Sequence, residues 1–319
     1  HAHLDHSGYL PLLIKNGFTG RVHASTGTRD LCNILLPDSG HIQEEDAFFA
    51  NKHGYSKHSP ALPLYTQLDA KNSMRHFHAE KWGQWFEPIP GWKAQLNPAG
   101  HILGASTLLL EVAGRRMLFS GDLGRPDDCL MNPPSDPPNA DTVLLESTYG
   151  DRNHKDFPNT LDELVSVVQD TLLRRKGNVI VPAFAVGRTQ ELIYHLFQLT
   201  RQGRLHDLDI FIDSPMAVAV TKITQKHFEL FDAEARQVTD WRASSPNLPR
   251  LHFVADVTES MALNQRQSGA IIISASGMCD AGRIRKHLKR LLWRKETTVL
   301  LSGFQAAGTL GEQLRARRG

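Results

Sequence analysis

The sequence predicts an α/β fold in two domains, and three observations carry that prediction. The chain has 319 residues, more than one hydrophobic core usually serves. Residues 92–124 hold strand-like apolar runs broken by glycine-containing turns. After residue 152, short apolar runs alternate with amphipathic helical stretches, the pattern of a largely parallel sheet buried on both faces. A boundary near Arg152 separates a first domain over 1–152 from a second over 153–319.

In chain order, an opening His/Asp motif is followed by a short helix in "SGYLPLLIKNGF", a strand in "GRVHAS" and a helix in "GTRDLCNILL". Residues 38–60 are polar and mixed, with weak helical character, and "LYTQLDAKNSMRHF" is a further helix. A hairpin turn near "AGRR" joins "STLLLEV" to "RMLFS". "PPSDPPNAD" is a surface loop, and "DTVLLEST" is an apolar strand ending in polar residues. In the second domain "NVIVPAF", "DIFID", "HFVA", "AIIISAS" and "TTVLLSG" read as strands. The helices between them include "TLDELVSVVQDTLLRRK", "RTQELIYHLFQLTRQG" and "AGRIRKHLKRLLWR".

Composition narrows the class without naming a partner. Hydrophobic content of 40% and charged content of 22% are ordinary for a globular protein, and a formal charge of +2 decides nothing about nucleic acid. No apolar run approaches the ~20 residues a membrane helix needs, so no membrane partner is expected. Cys32, Cys129 and Cys279 are odd in number and far apart, which fits a reducing cytoplasm and disfavours a thiolate zinc site. The sequence has no initiator Met and starts inside a motif, so it reads as a fragment.

Sixteen histidines direct attention to metal. His1, His3, Asp5 and His6 stand within six residues. In an extended segment His1, His3 and Asp5 project to one side, and His6 follows where the chain turns into a helix. Imidazoles and carboxylates are the ligands of a hydrolytic zinc site without thiolates, and four candidates in six residues suggest two metals. His76 and His78 form a second HxH pair, read as surface. His101 in "NPAGHILGAS" and Asp122 in "LFSGDLGR" follow in an order that favours ligation over a structural or turn-forming role.

"HAHLDHSG", "GHILGAS" and "FSGDLGR" together resemble the metallo-β-lactamase fold. "LLESTYGDR", followed by "VPAFAVGRTQELI", "DSPMA" and "SASGM", is similar to the β-CASP subfamily of RNA-processing nucleases, over essentially the whole chain. The resemblance implies an αββα metallo-β-lactamase sandwich with an inserted α/β β-CASP domain. It implies two Zn2+ ions: His1, His3 and His101 on the first, Asp5 and His6 on the second, and Asp122 bridging both. A hydroxide shared by the ions would attack phosphorus, with Asp5 orienting it and Glu146 positioning a general-acid histidine. A strand-end pairing of Glu146 with Arg152 is the competing account.

The family resemblance assigns single-stranded RNA as substrate, entering a cleft lined by the second domain. Ser274, Ser276 and Gly277, read as a turn at a helix N-terminus, suit phosphate, with an ordinary N-cap turn as the alternative. Arg188 would clamp a phosphate or form a rim salt bridge. The cations of "RIRKHLKRLLWRK" read as a solvated face. A homodimer or an RNA-processing complex is left open as the assembly.

The family also carries an aspartate motif before HxHxDH and two histidine motifs after the second domain. Neither is in this sequence, so activity is expected of the parent and little or none of this piece. The alternatives are a DNA nuclease, another metallo-β-lactamase-fold hydrolase, or a non-catalytic scaffold subunit. The six intact ligand residues weigh against the last.

Overall fold

The computed structural model describes residues 1–126, 128–151, 157–227, 248–254 and 256–316. The chain divides into two compact units, His1–Ser147 and Thr148–Gly319. The boundary expected at Arg152 lies outside the described residues.

In the first unit the extended start is shorter than its His/Asp pattern suggested. Helix α1 spans Leu4–Ser7, so Asp5 and His6 are helical and only His1 to His3 are extended. The Ser7 hydroxyl donates to the carbonyls of Ala2 and His3, which closes this first turn. Helix α2 (Leu10–Lys15) follows, with Pro11 early in its first turn, where a missing N–H costs nothing.

Strands β1 (Val22–Ser25) and β2 (Phe77–Glu80) pair in parallel. Between them helix α3 (Thr26–His53) is much longer than the apolar run "GTRDLCNILL". Ser25 caps it by accepting the Thr28 N–H, and Gly54 in the left-handed region ends it. It passes through the buried Pro37 without stopping. Beyond it, Gly40 lets α3 approach the backbone of Thr66 and Gln67, where an added Cβ would stand 2.7 Å from three atoms. Helix α4 (Gln67–Ser73) starts there with a capping box of Thr66 and Asp69.

The second sheet of this unit has the order β3 (Trp85–Ile89), β4 (Trp92–Pro98), β5 (Ser106–Val112), β6 (Arg115–Phe119), β7 (Thr142–Leu144). The first four form an antiparallel meander, and β7 joins β6 in parallel. Ala113 and Gly114, both with positive φ, make the tight β5–β6 turn expected near "AGRR". Strand β3 was not anticipated, because Pro88 interrupts its short pattern. Strand β7 covers only part of "DTVLLEST" and leaves Val143, Leu144 and Leu145 exposed. Residues 133–141 form an irregular loop, as read from the prolines.

The second unit has a five-stranded, all-parallel sheet among the described residues. Its order is β10 (Arg250–Phe253), β9 (Asp209–Ile212), β11 (Ala270–Ser274), β8 (Val179–Pro182), β12 (Thr298–Val299). Alternate side chains face opposite cores. Val179, Val181, Ile210, Ile212, Ile271 and Ile273 pack under α5 (Phe157–Gln169), α6 (Arg188–Arg201) and α7 (Pro215–Lys226). Ile180 and Ile272 pack under α8 (Val257–Leu263), α9 (Ile284–Leu291) and α10 (Leu310–Ala316). Burial on both faces is why these strands read as continuous apolar runs instead of alternating ones. On α9, Ile284, His287, Leu288 and Leu291 point inward, while Arg285, Lys286, Lys289 and Arg290 stay in solvent, as read from the sequence.

Candidate metal centre

The turn from strand to helix at His3 decides the geometry. The carbonyl of His3 accepts the N–H groups of His6 and Ser7, both at 3.0 Å. His6 is thereby folded back on His1, with ring centroids 4.1 Å apart. Full extension would instead hold residues five apart at about 17 Å. Asp5 follows the helix outward. Its side chain is 74% exposed, and it lies 3.6 Å from His6 Nε2.

The other two side chains arrive on loops joined to each other. His101 follows β4, and Asp122 follows β6. The Gly124 N–H donates to the carbonyl of Ala99 at 2.8 Å. A Cβ on Gly124 would stand 1.8 Å from the carbonyl oxygen of Gly100, so only glycine permits this approach. Behind His101, the Gly104 carbonyl accepts the hydroxyls of Ser25 and Thr28 at 2.6 and 2.9 Å. These polar partners were missed in the sequence, since Ser25 and Thr28 carry only a helix-start signal there.

One ligand atom each from His1, His3, His101 and Asp122 lie within 4.8 Å of one another, and the same holds for His1, Asp5 and His6. His1 thus stands in both groups, although the family pattern places it in the first alone. The Asp122 carboxylate divides between them. Its Oδ2 is 3.6 Å from His1 Nε2 and 3.8 Å from His101 Nε2, and its Oδ1 is 3.4 Å from His6 Nε2. Among the described residues only imidazoles pair with Asp122.

Burial pushes the His3 imidazole down to about 4, with His101 adding to the effect. Burial also lowers His101, against the pull of Asp122 and Glu146. Imidazoles around a shared carboxylate, with no lysine or arginine ion-paired to Asp122 among the described residues, are the donor set of a divalent cation. The residues present fit such an ion.

Glu146 lies just past β7, and its N–H donates to the Ser120 hydroxyl at 2.9 Å. Ser120 in turn donates to the carbonyl of Gly121 at 2.7 Å, which ties Glu146 to the turn carrying Asp122. Nothing in the sequence separated Ser120 from its neighbours in "FSGDLG". Arg152, the competing partner for Glu146, lies outside the described residues. His76 and His78 are half-buried near β2 and not at the bare surface, and His76 Nδ1 lies 3.0 Å from the Gly20 carbonyl.

The placement of the residues read as phosphate contacts needs correction. Ser274, Ser276 and Gly277 do not sit at a helix N-terminus, because α9 opens only at Ile284. Ser274 is buried, and its hydroxyl donates to the Asp213 carbonyl at 2.9 Å. Gly277 packs against the ring of Phe184, which would meet a Cβ at 2.9 Å. Ser276 accepts the Ala281 N–H at 3.3 Å. Arg188 opens α6 as expected, but its Nη1 donates to Glu191 at 2.6 Å, the salt-bridge alternative.

Asp213 anchors this region in a way the string "DSPMA" did not reveal. Its fully buried carboxylate accepts from Arg283 at 2.6 Å and Ser260 at 2.6 Å, and lies 2.5 Å from His287 Nε2. Burial pulls this carboxyl up, but bonds from His287, Ser260 and Arg283 outweigh it and hold it below its ordinary value.

A family model described as the Beta-Casp domain matches residues 189–314. The chain is 33% identical over 318 residues to a protein named ribonuclease TTHA0252 from Thermus thermophilus, covering 99% of this chain and 69% of that protein. It is 31% identical over 323 residues to transcription termination factor FttA of Pyrococcus abyssi, covering 99% of this chain and 47% of that one. FttA of Thermococcus kodakarensis is 31% identical over 322 residues, with the same coverage. The chain therefore spans about half the length of the FttA relatives.

Proposed function

From its membership of the β-CASP family, the metallo-β-lactamase-fold group to which this chain belongs, we propose that the protein is a zinc-dependent nuclease acting on single-stranded RNA. The observation that carries this reading is the divided Asp122 carboxylate, one oxygen toward His1 and His101 and the other toward His6. It supports two ions: His1, His3 and His101 would hold one, Asp5 and His6 the other, and Asp122 would serve both. Bound divalent ions supply Lewis-acid charge and lower the pKa of a coordinated water toward neutrality.

The chain's own residues do the rest. Burial keeps His3 and His101 neutral and ready to ligate. The exposed Asp5 carboxylate faces solvent beside His6, where it would orient the attacking water. Glu146, tied through Ser120 to the Asp122 turn, would position a general-acid histidine that the complete polypeptide supplies. Arg188, already paired with Glu191, and Ser276 remain as phosphate contacts, whereas Ser274 is committed inside the fold. No disulfide joins Cys32, Cys129 or Cys279, which suits the reducing cytoplasm proposed for this nuclease.

The ribonuclease relative supports RNA as the substrate class. The test is a competition assay on the complete natural polypeptide with zinc, offering RNA and DNA of one sequence in single-stranded form. Preferential RNA cleavage is the expected result, and equal or preferential DNA cleavage would overturn the substrate assignment. Gly124→Ala, which forces the His101 and Asp122 loops apart, is expected to weaken zinc binding by about 10–100-fold. Calorimetric titration of the metal-free protein measures this, and unchanged affinity would mean that the loops do not share an ion.

A further inference from the structure

Helix α3 carries a second amphipathic stripe that its own unit does not cover. Its inner side is occupied: Glu44 accepts the Gln67 N–H at 2.9 Å, Gln43 accepts the Leu64 N–H at 3.1 Å, and Ala50 is buried. On the outer side Ile42 is 44% exposed, Phe49 46% and Phe48 62%. Phe48 and Phe49 meet edge to face at 5.4 Å, and His53 stacks on Phe49 at 6.3 Å. At about 100° per residue, Ile42, Glu45, Asp46, Phe49, Lys52 and His53 fall within about 60° of one line along the helix.

Charge along this stripe reverses about Phe49. Glu45 and Asp46 precede it by four and three residues, and Lys52 and His53 follow by three and four. All four are exposed, and among the described residues neither Asp46 nor Lys52 has an ion-pair partner. A stripe that is acidic before an aromatic centre and basic after it is complementary to itself read backwards. Antiparallel packing about a dyad does this, whereas a parallel pair would oppose like charges.

We propose that the protein forms a homodimer in which the Ile42–His53 face of α3 packs antiparallel against the same face of a second copy, with Phe49 on the dyad. Asp46 then faces the second copy's Lys52, and Glu45 faces its His53, each contact made twice. The apolar centre drives association, and the charges set the register. Residue Phe49 lies 21 residues along the helix from Thr28, about 32 Å at 1.5 Å per residue, so the contact leaves the candidate metal centre untouched.

Sedimentation velocity of the complete natural polypeptide tests this. A dimer is expected in the unmodified protein. Phe49→Glu puts two carboxylates on the dyad and is expected to leave monomer. Asp46→Lys turns two attractions into two repulsions and is expected to weaken the dimer by roughly tenfold or more. Adding Lys52→Asp to Asp46→Lys restores both pairs with their signs exchanged, and is expected to bring the dimer back to within about threefold of the original. Circular dichroism checks that each variant keeps its helix content. The proposal is overturned by a monomer up to roughly 0.1 mM, where even micromolar contacts are filled. A dimer indifferent to Phe49→Glu, or a charge exchange that fails to rescue, overturns it equally.

Discussion

Asp122→Ala is expected to lower RNA hydrolysis by the complete protein about a thousandfold or more while the chain still folds. Among the described residues Asp122 is the one carboxylate with an oxygen toward each donor group, 3.4–3.8 Å from His1, His6 and His101. It lies in a turn and is 32% exposed, so truncation opens little cavity. On the proposed two-ion reading, several kcal/mol of charge stabilisation would depend on ions that Asp122 would share, and about 1.4 kcal/mol corresponds to a factor of ten in rate. Asp122→Asn keeps the shape without the charge and is expected to lose nearly as much. Single-turnover cleavage of end-labelled single-stranded RNA, with zinc content measured by atomic emission, decides the matter. Unmodified rates with full zinc content in Asp122→Ala would remove this carboxylate from the centre.

Asp213→Ala is expected to destabilise the second unit by about 3–5 kcal/mol, because it strands Arg283 and His287 around an empty acceptor. Denaturant unfolding followed by hydrogen exchange in β9 and β11 measures this. A loss under about 1 kcal/mol would show that the network is not structural. The pH dependence has a definite sign. The folded carboxyl titrates below its ordinary 3.8, so its contribution is complete above that value and is lost as pH falls through the lower folded value. Acid unfolding of the unmodified unit is therefore expected to begin below about pH 4, and Asp213→Ala removes that component.

The second unit was the easier one to read from sequence. Strands β8 and β11 are buried at every position, and apolar but for Ser274, because helices cover both faces, and such runs stand out without any alignment. Strand β3 was hidden because Pro88 and exposed positions break its alternation. The 28-residue length of α3 was hidden too, since Pro37 and the polar run after it argue for a stop, while its buried side is set by Gly40 and the distant Thr66. The start of α7 was legible in principle: Ser214 caps it and Pro215 occupies its first turn.

At the candidate centre, the identities of His1, His3, His101 and Asp122 could be read, but not the fold of the segment holding them. A two-residue period put Asp5 with both His1 and His3, whereas the helical turn at His3 groups it with His1 and His6 and leaves it out of the group that holds His3. The turn at residues 274–277 was misplaced for a similar reason. "SASG" reads as a helix start, yet its serine and glycine are drawn into the interior by Asp213 and Phe184, which lie 61 and 93 residues away in the chain.

The two sheets have very different connectivity. The β3–β6 meander pairs neighbours in sequence and is complete once Phe119 has been made. In the other sheet β8 must wait for β11 and then for β12 at Thr298. Synthesis at roughly 5–20 residues per second separates these events by roughly 10–40 s. During that interval the turns bearing His101 and Asp122 exist on a formed sheet, while the apolar strand β8 has emerged without either of its neighbours. A nascent chain thus exposes the apolar run "NVIVPAF" to aggregation after the turns bearing His101 and Asp122 have formed.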